Sequence, residues 1–222
     1  YVTLSDFNEK PVTKDGKINK IINGATDWVY EEEFSIHKGF EWSPDGKKLA
    51  YYVFDETDVK EFQMKMYGTL YPTHYKFKYP KAGEDNSLIS IRIFDTQYDR
   101  HFIFDIGNNP DIYIPRIMWS KRRDELIVFK MNRLQNKLEL LSGTFSMDTP
   151  NNIGIKTKPI YTENSTTYID IHDNTSFINE NEFIWTSEKD GYNHIYLINY
   201  ANGTEKQLTN GDWDVTEVYG YT

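Results

Sequence analysis

No cysteine occurs among the 222 residues, so disulfide scaffolds, cysteine–zinc sites and thiol nucleophiles are excluded, while the redox compartment stays open. There is no apolar run of about 18 residues, the length that a membrane-spanning helix needs. The sequence also lacks a G-x-S-x-G nucleophile elbow, a Walker loop, a G-x-G-x-x-G turn and an EF-hand pattern, which removes the local signals for an α/β-hydrolase, a nucleotide site or a calcium site. The nearest serine string, "LSGTFS" at 141–146, has no flanking glycines and reads as strand. Basic residues are the scarcer sign: 25 Lys and Arg against 34 Asp and Glu give a net charge of −9. Such a surface repels phosphate backbones and anionic lipid, so no nucleic acid and no membrane are expected as partners, and cationic ligands are favoured. The chain opens on Tyr1 without a basic, apolar leader, and its first residues already read as strand, so the expectation is a start partway into a longer protein.

What the chain has in quantity is aromatic residues, 16% of the total, in short β-branched runs bounded by turn residues. This is a β composition. Strands are predicted at 47–54, 88–95, 100–106, 125–132, 137–145, 182–187 and 194–200, and no window of a dozen residues keeps a helical period. "SPDG" at 43–46, "EKDGYN" at 188–193 and "YANGT" at 200–204 carry Asp-Gly or Asn-Gly where hairpins need them, which implies antiparallel meanders. "YPTHYKFKYPKAG" at 71–83 mixes lysine, tyrosine and proline and reads as an edge strand with its connection.

The chain also repeats itself. "GFEWSPDGKKLAYY" (39–52), "PRIMWSKRRDELIVFK" (115–130) and "TSFINENEFIWTS" (175–187) each run from an aromatic strand through a polar turn into an apolar strand. "KINKIINGATDWVYEEEF" (17–34) is echoed by "EKQLTNGDWDVTEVYGY" (205–221), and in both copies the strand before Asn-Gly is taken as the outer strand of a blade. Units of roughly 60 residues exceed the usual propeller blade but accommodate one with insertions. The fold class expected is all-β: antiparallel four-stranded blades of an incomplete β-propeller, about three to four blades, with residues 1–222 forming part of one propeller domain. A β-sandwich is the plainer alternative.

Among candidate sites, "IDIHD" at 169–173 sets carboxylates beside His172, but a third ligand is not evident and the expected reading is a hydrated surface histidine. Neither metal nor cofactor is expected, and no catalytic residue is assigned. Asn164, Asn174 and Asn202 begin N-x-S/T triplets, which matter only in a secreted, glycosylating context. Glu31, Glu32 and Glu33 form the one carboxylate cluster of interest. On a strand Glu32 and Glu33 point to opposite sides, whereas on a helical turn they diverge by about 100° and can tilt toward one cation. Thr26 and Asp27 are plausible N-caps for such a turn, so a short helix near 27–34 is expected, with a solvated charge run as the competing reading.

"DWVYEEEF" (27–34), followed by "WSPDGKKLAYYVFDET" and then "YPKAG" at 79–83, resembles the propeller domain of the dipeptidyl peptidase IV family in the prolyl oligopeptidase clan. Blade sequences extend the likeness over about residues 20–215. The resemblance implies an eight-bladed propeller followed by a C-terminal α/β-hydrolase domain with a Ser, Asp, His triad, which lies outside this chain. It implies removal of X-Pro or X-Ala dipeptides from peptide N-termini, and it assigns Glu32 and Glu33 to the substrate α-amine. The expected partners are a peptide with a free N-terminus, the chain's own hydrolase domain and further copies of itself; the expected place is periplasmic or secreted, in a bacterial source. Without the hydrolase domain the chain should be inactive. A noncatalytic propeller scaffold and a glycan-handling module are the alternatives, the first to be separated by a downstream G-x-S-x-G elbow and the second by aromatic platforms.

Overall fold

A computed structural model describes residues 1–3, 7–149 and 152–220, nearly all of it antiparallel β-structure. The chain divides into two compact units, Tyr1–Asp111 and Ile112–Thr222.

The first unit contains, in order, β1 (Val2–Thr3), β2 (Glu9–Lys10), β3 (Ile21–Asn23), α1 (Trp28–Phe34), β4 (Phe40–Trp42), β5 (Lys48–Asp55), β6 (Glu61–Met66), β7 (Thr73–Lys78), β8 (Leu88–Asp95) and β9 (Arg100–Phe104). Its main sheet runs β3-β5-β8-β9, and β4 also pairs with β5. β3 and β4 lie on the same side of β5: Asn23 faces Val53, and Phe40 faces Tyr51. They are two halves of one strand, so the sheet is a four-stranded blade whose first strand is interrupted. β5, "KLAYYVFD", is buried on both faces from Lys48 to Phe54, which explains why it reads as a continuous apolar run rather than an alternation. On one face Leu49, Tyr51 and Val53 join Phe94 and the N-terminal Val2 in a core cluster, with Val12, Ile21 and Phe40 against it. The alternate residues Tyr52 and Phe54 face α1. Hairpin β6–β7, inserted between the second and third strands, pairs only with itself and is exposed along most of its length.

The second unit holds two four-stranded sheets. One is β10 (Ile112–Trp119), β11 (Glu125–Asn132), β12 (Lys137–Thr149) and β13 (Asn152–Asn164); the other is β14 (Ser176–Phe177), β15 (Glu182–Ser187), β16 (His194–Asn199) and β17 (Thr204–Gln207). The three repeated sequence units fall on the hairpins β4–β5, β10–β11 and β14–β15, the opening pair of each sheet. Ser43 N–H donates to Lys48 O at 2.8 Å and Ser120 N–H to Glu125 O at 3.0 Å, closing the same turn in two blades. Gly46, Gly191 and Gly203 take the left-handed region (φ 68°, 111° and 74°) in the three turns predicted to need it. The fold is therefore all-β in four-stranded antiparallel blades of the propeller type.

Two buried carboxylates knit the second unit. Glu125 on β11, fully buried, accepts from Ser120 Oγ and Ser142 Oγ at 2.6 Å and from Tyr200 OH at 2.9 Å, and so joins the two sheets. Glu163 on β13 accepts from Trp185 Nε1 and Ser187 Oγ, both at 2.5 Å. Burial and these carboxylates push the phenols of Tyr161 and Tyr200 far above their usual range.

The Asn-Gly string does not follow the outer strand of a blade in both copies. The strand before Asn-Gly at 23–24 opens its sheet beside β5, whereas the strand before Asn-Gly at 210–211 closes its sheet as β17 beside β16. Among the described residues after β17 there is no helix to match α1. A shared local string was placed at two different steps of the blade because cross-strand pairing, not the Asn-Gly turn, decides strand order.

Candidate functional site

α1 sits on an excursion cut into the blade's first strand. Gly24 N–H donates to Tyr52 O at 2.9 Å, Tyr52 N–H to Gly39 O at 2.9 Å, and Gly39 N–H to Gly24 O at 3.2 Å, so the ladder passes almost unbroken across the base of the loop. The neck is tight: a Cβ on Gly39 would stand 2.6 Å from the Ala25 carbonyl oxygen. Thr26 Oγ1 donates to Ile36 O at 2.6 Å and closes the neck further.

Of the two candidate caps, Asp27 is the N-cap. Its backbone is extended (φ −80°, ψ 177°), its Oδ1 accepts from Tyr30 N–H at 3.0 Å, and its Oδ2 accepts from Ser87 Oγ at 2.7 Å. Burial raises the Asp27 carboxyl above the usual carboxylate range against the opposing pull of these hydrogen bonds. Glu56 is raised as well, by its own burial first and by the Asp27 charge second. At the other end Ser35 adopts the left-handed conformation (φ 54°), and the N–H groups of Ser35 and Ile36 both donate to Tyr30 O.

Seven residues are too few for a helix to be stable in water by itself, so packing must hold it. Val29, Tyr30 and Phe34 are buried; the Tyr30 ring meets Phe54 edge-on at 4.8 Å and Phe34 at 5.2 Å. With that face turned inward, Glu31, Glu32 and Glu33 are all exposed. Glu31 lies 3.7 Å from His37 Nδ1. Glu32 and Glu33 make no hydrogen bond or ion pair among the described residues. Glu32 and Glu33 thus stand on a helical turn, about 100° apart around its axis.

The other sequence candidates resolve differently. His172 is not a hydrated surface residue: its ring packs edge-on against Trp185 at 4.5 Å, its Nε2 is buried, and burial holds its pKa below the ordinary histidine value. The polar neighbours Asp170 and Asp173 suggested exposure, but the ring turns inward onto an aromatic that lies far off in sequence. Ser142, in the "LSGTFS" string, is buried and committed to Glu125, which gives it a structural role. Among the described residues no group of three or more His, Asp or Glu side chains is placed to hold a metal ion. Among the described residues no helix is long and apolar enough to cross a membrane. A polar cavity of about 440 Å³ is lined by Tyr168, Asp170, His172, Lys189 and Asn193 among others; most of its wall is an irregular stretch and a turn, which carry no periodic signal, and the ends of β13 and β15 complete it.

Residues 1–222 match the family described as Dipeptidyl peptidase IV (DPP IV) N-terminal region. The chain is 32% identical over 228 residues to the prolyl endopeptidase FAP of Bos taurus, covering 95% of this chain and 29% of that one. It is 36% identical over 157 residues to the venom dipeptidyl peptidase 4 of Vespa velutina, covering 64% and 20% respectively. Among solved structures, the dipeptidyl peptidase 4 of Porphyromonas gingivalis superposes with a TM-score of 0.87 at 38% identity, over 97% of this chain and 30% of that chain. The chain thus spans under a third of the length of these relatives. With a blade fold, an interrupted first strand and a family match along its whole length, this chain belongs to the dipeptidyl peptidase IV N-terminal region family.

Proposed function

We propose that this chain is the substrate-gating, N-terminus-recognising propeller part of a dipeptidyl aminopeptidase that removes X-Pro or X-Ala dipeptides from peptides. Residues 1–222 are read as part of one propeller domain, with hydrolysis supplied by a C-terminal α/β-hydrolase domain outside this chain. The observation that carries the reading is α1 itself: a capped and packed helix that presents Glu32 and Glu33 side by side without internal partners, while Glu31 turns to His37. Two carboxylates in that arrangement suit a primary ammonium, whose three N–H donors form charge-assisted hydrogen bonds and relieve the repulsion between the acids.

The test uses the full-length protein and a Gly-Pro amide, with the amine-acylated substrate as control. If both carboxylates grip the ammonium away from water, loss of either costs about 2 to 5 kcal/mol. That corresponds to a fall in kcat/KM of about 30-fold to several thousand. Glu31→Gln should lose under about tenfold, since its partner is an exposed histidine. Near-normal turnover by Glu32→Gln and Glu33→Gln would reduce the run to a solvated face.

A second reading, a noncatalytic scaffold for protein contacts, draws support from hairpin β6–β7, which exposes Met64, Met66, Tyr67, Leu70 and Tyr71. The same hairpin supports assembly with further copies of the chain within the enzyme reading. Peptide scavenging in the periplasm or outside the cell fits the proposed substrate.

A further inference from the structure

The "YPKAG" string and the residues after it have no part in the function proposed so far, yet α1 leans on them at two points. The Trp28 ring stands edge-on to Tyr79, with centroids 4.4 Å apart at 73°. One residue earlier, the buried Asp27 carboxylate takes the Ser87 hydroxyl at 2.7 Å. Tyr79 and Ser87 are the two ends of the segment 79–87, "YPKAGEDNS", which leads from hairpin β6–β7 into β8. Both contacts grip the first turn of the helix.

The segment is itself braced. Tyr79 N–H donates to Lys60 O at 3.0 Å, and its ring meets Phe62 at 5.5 Å and Phe77 at 6.3 Å. Lys60 Nζ reaches Glu84 at 2.5 Å, and Glu84 N–H closes a turn onto Lys81 O at 2.9 Å. Next to Tyr79, the Lys78 ammonium donates to Val59 O at 2.6 Å and Thr57 O at 3.0 Å.

Helix geometry carries this bracing to the acids. Side chains four residues apart share a face, so Trp28 lies beneath Glu32 and Asp27 beneath Glu31. The Tyr30 contact with Phe54 fixes how closely α1 approaches β5, and it lies across the helix from Trp28. Without the lateral contacts, a two-turn helix is free to roll and fray at its first turn.

Resting on the amine-binding reading above, we propose that Tyr79 and Ser87 are positioning residues: through Trp28 and Asp27 they set the direction in which Glu32 and Glu33 meet the substrate ammonium. Neither touches substrate. The segment 79–87 is the platform on which the amine site is aimed.

The experiment measures, in the full-length protein, the ratio of kcat/KM for a free-amine Gly-Pro amide to that for its acylated form. It also measures the rate of labelling by a fluorophosphonate that has no amine. Tyr79→Leu and Ser87→Ala should each lower the ratio about 5- to 50-fold, chiefly through KM, because a small misplacement of a binding group is costly. Labelling should stay unchanged, which separates misaiming from unfolding. Tyr79→Phe, which keeps the ring, should restore the ratio to within about twofold of the parent. If Tyr79→Leu labels slowly and so proves misfolded, Ser87→Ala, which removes one oxygen, decides by itself. Ratios within twofold of the parent for Ser87→Ala and a well-folded Tyr79→Leu, alongside a large loss in Glu32→Gln, overturn the positioning role and leave the amine reading standing. An unchanged ratio in Glu32→Gln and Glu33→Gln overturns both.

Discussion

Replacing Glu125 tests whether a buried carboxylate holds the second unit together. Its side chain is 0% exposed and receives three hydroxyls, from Ser120, Ser142 and Tyr200, with the Arg122 guanidinium 3.8 Å from Oε1. Arg122 also covers the Tyr200 ring at 4.5 Å. Glu125→Leu keeps much of the volume but leaves the buried hydroxyls of Ser120 and Ser142 and part of a cation without their acceptor, while Tyr200 OH keeps Glu180 O at 2.7 Å. Uncompensated buried groups of this kind cost about 3 to 5 kcal/mol in sum. In a domain of this size that lowers Tm by about 6 to 20 °C. Glu125→Gln should be milder, for a reason visible in the geometry. Tyr200 has one proton but two acceptors within reach, Glu125 Oε2 at 2.9 Å and Glu180 O at 2.7 Å. An amide NH₂ in place of Oε2 can donate to the phenol and release its proton to Glu180 but no longer accepts from Ser120 Oγ, so the net loss is about 1 to 2 kcal/mol, from the Ser120 hydrogen bond and the Arg122 attraction. Thermal melts of both variants measure this. If Glu125→Leu melts within about 2 °C of the parent, the carboxylate is not the tie between β11 and the Tyr200 turn.

Other outcomes follow from α1 and its surroundings. Because burial raises the Asp27 carboxyl, its stabilising contribution is present below the unfolded pKa and is lost as pH rises through the folded value. Asp27→Asn, able to accept from Tyr30 N–H and donate to Ser87, should therefore match or exceed the parent in stability at pH 7, whereas Asp27→Ala should lose about 1 to 2 kcal/mol with the cap, as urea titrations would show. Gly39→Ala places a methyl against the Ala25 carbonyl and should cost about 1 to 3 kcal/mol, together with lower free-amine selectivity; a melt unchanged by the substitution refutes the tight neck. The depressed pKa of His172 means that stability is present above the ordinary histidine value and falls as pH drops below about 6.5. Replacing it with Gln should flatten the stability profile below about pH 6.5, measured by denaturant midpoints.

Strands buried on one or both faces were legible because their apolar runs end at turn residues: β5, β8, β11, β15 and β16 lie within a residue or so of the expected bounds. The three repeated hairpins and the capped helix at 28–34 were legible for the same local reason. β13 was not, since "NIGIKTKPIYTEN" mixes lysine, threonine and proline at an edge and pairs only with β12. Nor was it evident that β6 and β7 form a hairpin standing apart from the blade, because exposed strands lack the alternation that burial imposes. Glu32 and Glu33 could be singled out as neighbours in sequence. Ser87 could not, because it lies 60 positions from Asp27 and nothing in "EDNS" marks which oxygen will meet the cap.

The continuous ladder beneath α1 has a consequence for how this region can change. Gly24 and Gly39 are already hydrogen bonded, so the segment between them is a cassette that could be shortened, lengthened or exchanged without shifting the register of β5. Its two sides are under different constraints. Val29, Tyr30 and Phe34 are buried, Tyr30 against Tyr52 and Phe54, and a replacement that failed to cover those rings would bare a large aromatic area to water. Asp27 and Trp28 must keep Ser87 and Tyr79, whereas the exposed glutamates carry no such duty. A grafted cassette that keeps these inward contacts can therefore display other side chains where Glu31, Glu32 and Glu33 now stand, with little loss of stability.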